Sequence, residues 1–145
     1  MADFGSLPSP QYPQLGQVNP RTVLDVGALI NLAAAGAGTT TGAVQYNTSS
    51  RGLRVVAKLT KNSGTIDVTI NIYSIDKATG AAILRLASVS LTANGTTEYI
   101  ISPDLTAAAN SIAKNFIGEQ WRVDVVSGAG SSPNFDLIVG GCLLP

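Results

Sequence analysis

The chain carries nine acidic and nine basic side chains, one cysteine and no histidine. That inventory bounds its chemistry. Without histidine, serine triads lack their general base and His-bearing metal sites lack their ligand. The single cysteine, Cys142, allows neither an intrachain disulfide nor a thiolate zinc centre. It reads as a small buried side chain of the last strand, with no histidine to lower its pKa. Carboxylates remain. Asp67, Asp76, Asp104, Asp124 and Asp136 fall on outward strand positions or in loops. Two of them could meet in space as the acid and base of a glycoside hydrolase, but a solvated face accounts for them better. The turn at 76–80 (DKATG) has too few oxygen ligands for a calcium loop. The stretch 36–42 (GAGTTTG) reads as a flexible loop, without the lysine that a phosphate-binding loop needs after its glycines. No catalytic residue, no metal site, no cofactor and no enzyme activity are expected.

Binding chemistry is equally sparse. Tyr46, Tyr73, Tyr99 and Trp121 are scattered one to a strand. They could make a carbohydrate platform, but an inward Trp121 belongs to a core. Arg51, Arg54, Arg85 and Arg122 are too widely spaced for a basic patch. With a formal net charge of zero, nothing favours nucleic acid or an anionic membrane as partner. The apolar runs are too short to span a bilayer. The first five residues lack the basic start and apolar stretch of a secretory signal, so synthesis in a cytoplasm is expected. Charged residues are only 12% of the chain, against roughly 25% in an average soluble domain. Such a surface resists association poorly, which suits a protein that works in contact with others.

The elements that must position these residues are strands. In 65–73, Ile66, Val68, Ile70 and Ile72 alternate with Asp67, Thr69, Asn71 and Tyr73, the period of a strand with one buried face. Segments 53–60, 65–75, 81–91 and 96–102 form a four-strand block with turns at 61–64, 76–80 and 93–95. Asn94-Gly95 is the strongest hairpin signal in the chain. Segment 81–91 is apolar on both parities, as in a strand covered on two sides or one whose bulge switches faces. Segment 22–35 scores as a helix or a bulged strand, and Val23, Ile30 and Gly27 favour strand. A short strand follows at 43–47. Residues 103–118 could hold a short helix over 107–114 or form an irregular crossover, and either would carry the chain from one sheet to the other. Strands at 119–127 (Trp121, Val123 and Val125 inward) and 134–143 (Phe135, Leu137 and Val139 on one parity) close the set. Gly140-Gly141 then allows a bend or a close neighbour.

The expected fold is all-β: an antiparallel β-sandwich of about eight strands, jelly-roll or Ig-like, over residues 21–145. Ahead of it, residues 1–20 hold four of the seven prolines and read as an extended arm. A disordered terminus is one reading of that arm. The preferred one gives Phe4, Leu7, Tyr12, Leu15 and Val18 contacts on the chain's own domain or a neighbouring subunit.

The blocks LTKNSGT (59–65), VTI (68–70), LTANGT (91–96), SPDLTAAAN (102–110) and WRV (121–123) resemble small structural proteins of tailed bacteriophages, the capsid decoration (cement) and related virion proteins. The resemblance covers residues 53–140. It implies a β-sandwich bound to the outer capsid surface of the virion, often as a homotrimer. The partner would be the major capsid protein, whose subunit contacts the protein would stabilise after head expansion. An alternative is a tail- or fibre-associated virion protein, with a carbohydrate-binding module for host attachment.

Overall fold

A computed structural model describes residues 24–145; the arm expected at 1–20 lies outside them. Among the described residues there are ten strands and no helix. They are β1 (Leu24–Ala35), β2 (Gly38–Thr41), β3 (Gln45–Tyr46), β4 (Gly52–Ser63), β5 (Val68–Ile75), β6 (Ala82–Ala87), β7 (Gly95–Ile101), β8 (Ile112–Ala113), β9 (Gln120–Ser127) and β10 (Asn134–Leu144). One sheet has the order β1-β10-β4-β7-β8; the other runs β2-β9-β5-β6, with β3 continuing the β2 edge along β9.

Setting aside the two-residue β3 and β8, eight strands pair first with last and so inward. The partners are β1 with β10, β2 with β9, β4 with β7 and β5 with β6, all antiparallel. A long hairpin rolled up on itself gives this pattern, and it is the jelly roll rather than the Ig-like arrangement.

The period of two builds the core. In β5 the residues from Val68 to Ile75 alternate buried and half-buried without a break. Trp121, Val123 and Val125 of β9 face Leu53, Val55 and Ala57 of β4 and Phe135, Leu137 and Val139 of β10 across the sandwich, all nearly or fully buried. Each large one contributes about 1.5–3 kcal/mol relative to exposure. The 22–35 segment is the bulged strand, its register against β10 slipping three times. At Gly141 the β1 side chains come close: a Cβ there would lie 3.0 Å from Leu29 and 3.1 Å from Val26.

Several expectations are corrected. The loop expected at 36–42 contains β2, an edge strand whose threonines carry no apolar alternation. β4 continues through the turn expected at 61–64, bending only at Gly64, where φ is +75°. Asn94-Gly95 is no hairpin. It sits at the corner between β6 in one sheet and β7 in the other, and the Asn94 side-chain oxygen accepts the Lys61 N–H at 2.6 Å. Of the two readings of 103–118, the irregular crossover between sheets is the one found, and it carries β8, parallel to β7. In 81–91 the bulge explains the double parity: β6 slips against β5 at Ile72/Tyr73, while Ile83, Leu84 and Val89 stay exposed. Cys142 is half-buried on the outer parity of β10.

The loops gather at two ends. At one, which we call the glycine end, the connections 63–68, 87–95 and 127–134 interlock. Thr65 N–H donates to Ser131 O (3.1 Å) and Gly128 N–H to Asp67 O (2.9 Å), and the Ser90 hydroxyl donates to Asp67. A Cβ on Gly64 would lie 2.1 Å from Ser132 O, and one on Gly130 2.6 Å from Thr65 O. The other, the aromatic end, gathers 47–51, 76–81 and 102–119. Both the start of β1 and the end of β10 lie there, since Leu24 pairs with Leu143 and Leu144 with Gly52.

Candidate interaction surface

The carboxylates do not converge. Asp67 lies at the glycine end, Asp76 and Asp104 in loops of the aromatic end, Asp124 on β9 and Asp136 on β10. Among the described residues no group of three acidic or cysteine side chains could hold a metal. Asp76 is a turn residue whose carboxylate accepts the Ala78 N–H at 2.7 Å, and its N–H and carbonyl close the loop with Ala81 and Gly80. Asp136 accepts the Ala34 N–H at 2.7 Å and the Asn62 amide at 3.0 Å. Those bonds, the backbone one first, hold its carboxyl below the ordinary value of 3.8. It pins Ala34 in a left-handed conformation, φ 48°.

Asp124 departs from the solvated face expected of it. Its parity is outward, yet it is buried. The loop after β2 folds over it, with Gly42 N–H donating to its carboxylate at 3.2 Å. Arg122 Nε donates to both oxygens at 3.0 and 3.3 Å, and the Arg122 guanidinium lies 5.5 Å from the Tyr73 ring centre. Tyr73, Arg122 and Asp124 thus satisfy one another across β5 and β9, which leaves this pair structural.

The aromatic platform does not assemble. Trp121 and Tyr99 are core residues, Tyr73 is engaged by Arg122, and Tyr46 stands apart on the β3 edge with 67% of its surface exposed. A cleft of about 190 Å³ opens between β1 and β2, lined by Leu32, Ala35, Thr40, Val125, Ser127 and Phe135 among others. Ser127 Oγ there has no hydrogen-bond partner among the described residues, and neither does Trp121 Nε1 in the core.

The structure leaves several large apolar side chains in water. Toward the aromatic end Phe116 is 58% exposed, and Leu105, Val44 and Tyr46 are also exposed. Arg51 ties part of this group: its guanidinium lies 5.8 Å from the Phe116 ring centre and 3.2 Å from Asp104. Lys77 pairs with Glu119 at 3.2 Å, and Lys114, two residues before Phe116, is exposed. The buried Asn47 anchors the loop beneath, accepting the Ser50 N–H at 2.9 Å and donating to Ser50 O at 2.8 Å. The second zone is the β6 rim, with Ile83, Leu84 (51% exposed) and Val89. This edge strand carries no proline or lysine, the residues that usually guard one. Its arginine turns inward to donate to Ser74 Oγ at 3.1 Å.

The sequence located neither zone. A single exposed Phe116 in an irregular segment has no periodicity to announce it, and the double parity of 81–91 was the only hint of the β6 rim. The expected contacts Phe4, Leu7, Tyr12, Leu15 and Val18 lie outside the described residues.

No family model matches the chain, and no characterised protein matches it in sequence. Solved structures do. The structure of infectious bursal disease virus, Gt strain, superposes with a TM-score of 0.50 at 14% identity, over 85% of this chain and 33% of that one. What they share is the fold. This chain therefore spans about a third of the viral chain it matches. The T13 particle of the same virus gives a TM-score of 0.49 at 15% identity, over 85% and 31%. A xylan-binding domain of carbohydrate-binding module 22 gives 0.40 at 12%, over 89% of both chains.

Proposed function

We propose that this protein is a structural component of a virion. It binds the outer surface of an assembled phage head as a decoration protein and bridges neighbouring major capsid subunits. The observation that carries the reading is the jelly-roll strand order, shared as a fold with a virus particle chain, on a molecule whose described residues show exposed apolar zones and no converging acids. Low charge and apolar edges suit a protein that lies against a shell. The contact is repeated over a lattice, so its strength comes from multivalency and no single contact need be strong. A homotrimer around a point where capsomers meet is the oligomer proposed. The role is mechanical: the bridges raise the barrier to separating capsid subunits against the pressure of packaged DNA.

Co-sedimentation with purified expanded shells, followed by cryo-microscopy, tests this. Saturable binding at hundreds of copies per particle is expected. Absence of binding overturns it, and a dozen copies confined to the tail would move the protein there. Exposed Tyr46 is the one observation favouring a glycan-binding attachment module. A glycan array that lights up where shells do not bind selects that reading instead.

A further inference from the structure

We infer that the aromatic end is the seat of the chain's own N-terminal segment, residues 1–23, through a proline-rich stretch laid across Phe116 and Tyr46. Three observations converge. The first is the tether: β1 starts at this end, two strands from β4 in the sheet order, which is about 10 Å at the usual strand spacing. Arg51, which holds Phe116, immediately precedes β4. Tyr46 belongs to the edge of the other sheet that faces β1, because β1 and β2 line one cleft and β3 continues β2 along β9. A tethered segment meets nearby surface at high effective concentration. Twenty-three residues reach at most about 80 Å when extended, so length is no obstacle.

The second is chemistry. Pro8, Pro10 and Pro13, with Pro10-Gln11-Tyr12-Pro13 in P-x-x-P spacing, favour a polyproline II backbone, which proteins recognise through exposed aromatic side chains at low entropic cost. Leu7, Tyr12 and Leu15 supply apolar area alongside. The third is charge. Residues 1–23 contain two charged side chains of opposite sign, Asp3 and Arg21; at this end Arg51 and Lys77 are paired, while Lys114, two residues before Phe116, is exposed. The stretch 4–20 has no charged side chain, so it covers Phe116 and Tyr46 without burying a charge of its own. The β6 rim has the apolar surface but no aromatic side chain, and it lies on the opposite edge of its sheet from β2 and β3. It is left for another partner.

The inference does not depend on the decoration reading; shell binding tests that, and protease protection tests this. The full-length chain is treated with a limiting amount of chymotrypsin, and cleavage after Phe4 and Leu15 is timed by mass spectrometry. Phe116→Ser and Tyr46→Ser are expected to accelerate cleavage about fivefold or more, as the undocked population rises. Leu84→Ser on the β6 rim leaves it unchanged. The buried emission of Trp121 confirms that each variant is folded. Protection that persists on dilution places the segment on its own domain, and protection that fades places it on the same seat of a neighbouring copy. Equal cleavage in the wild type and all three variants, or acceleration by Leu84→Ser as well, overturns the inference.

Discussion

The two ends of the sandwich are built on different principles. At the glycine end, backbone meets backbone. Asp67 is held by Gly128 and Ser90 together, Asn62 bridges Asn134 and Asp136, and Gly64 and Gly130 permit approaches that no side chain would survive. At the aromatic end, backbone bonds such as Asn47 N–H to Glu119 O at 2.8 Å and Ser102 N–H to Ala113 O at 3.0 Å are supplemented by side-chain ties. Arg51–Asp104 and Lys77–Glu119 are more than half exposed on both partners, and Asn47 adds buried bonds across its loop. The aromatic end thus adds exposed ion pairs to its backbone bonds and leaves Phe116 in water.

Substitutions can break that contrast or sharpen it. The largest effect is expected from Gly64→Ala: a methyl at positive φ, driven against Ser132 O, should cost about 3 kcal/mol in urea unfolding. A loss below about 1 kcal/mol would mean that the glycine end yields easily. Next comes Asn47→Ala, which strands buried backbone groups of Ser50 and should cost about 1.5 kcal/mol. Its sharper readout is faster amide exchange across 48–51, with 63–68 unchanged.

Asp136 gives a pH test. Its folded pKa is lowered below 3.8 by the Ala34 N–H and the Asn62 amide, so its contribution is fully present above the unfolded value. It is lost as pH falls through the folded one. The unfolding midpoint should therefore drop as pH descends below about 4, the unfolded carboxyl range, and Asp136→Asn should flatten part of that slope. The smallest effect belongs to Asp104→Ala. Removing an exposed ion-pair partner should change stability by less than about 0.5 kcal/mol. A larger loss would show the aromatic end to be stitched as firmly as its opposite.

Strands that bury one face were legible because burial itself writes the period. Val68 to Ile75 and Trp121 to Val125 alternate since one parity meets the core. Edge strands escape that rule: Thr39–Thr41 of β2 lie on a rim where little is buried, so nothing marked them as a strand. Asn94-Gly95 has the residues of a hairpin turn, but neither residue adopts positive φ. The rolled topology places a corner between sheets there, a long-range outcome that a dipeptide does not encode. Parity alone leaves Asp124 on a solvated face, since it reports which face a side chain takes and not what folds over that face; here the Gly42 loop does. The apolar zones were illegible for a related reason: exposure at Phe116 and Leu84 is a property of the assembled surface. The absence of histidine and the single cysteine needed no structure at all.

The unguarded rim at β6 also governs how the isolated protein will behave in the tube. With Ile83 and Leu84 in water on an edge strand, two molecules heated together can join there edge to edge and carry on into aggregates. A lysine placed at position 84 would act as a gatekeeper, so samples for calorimetry or long storage should be made with that variant.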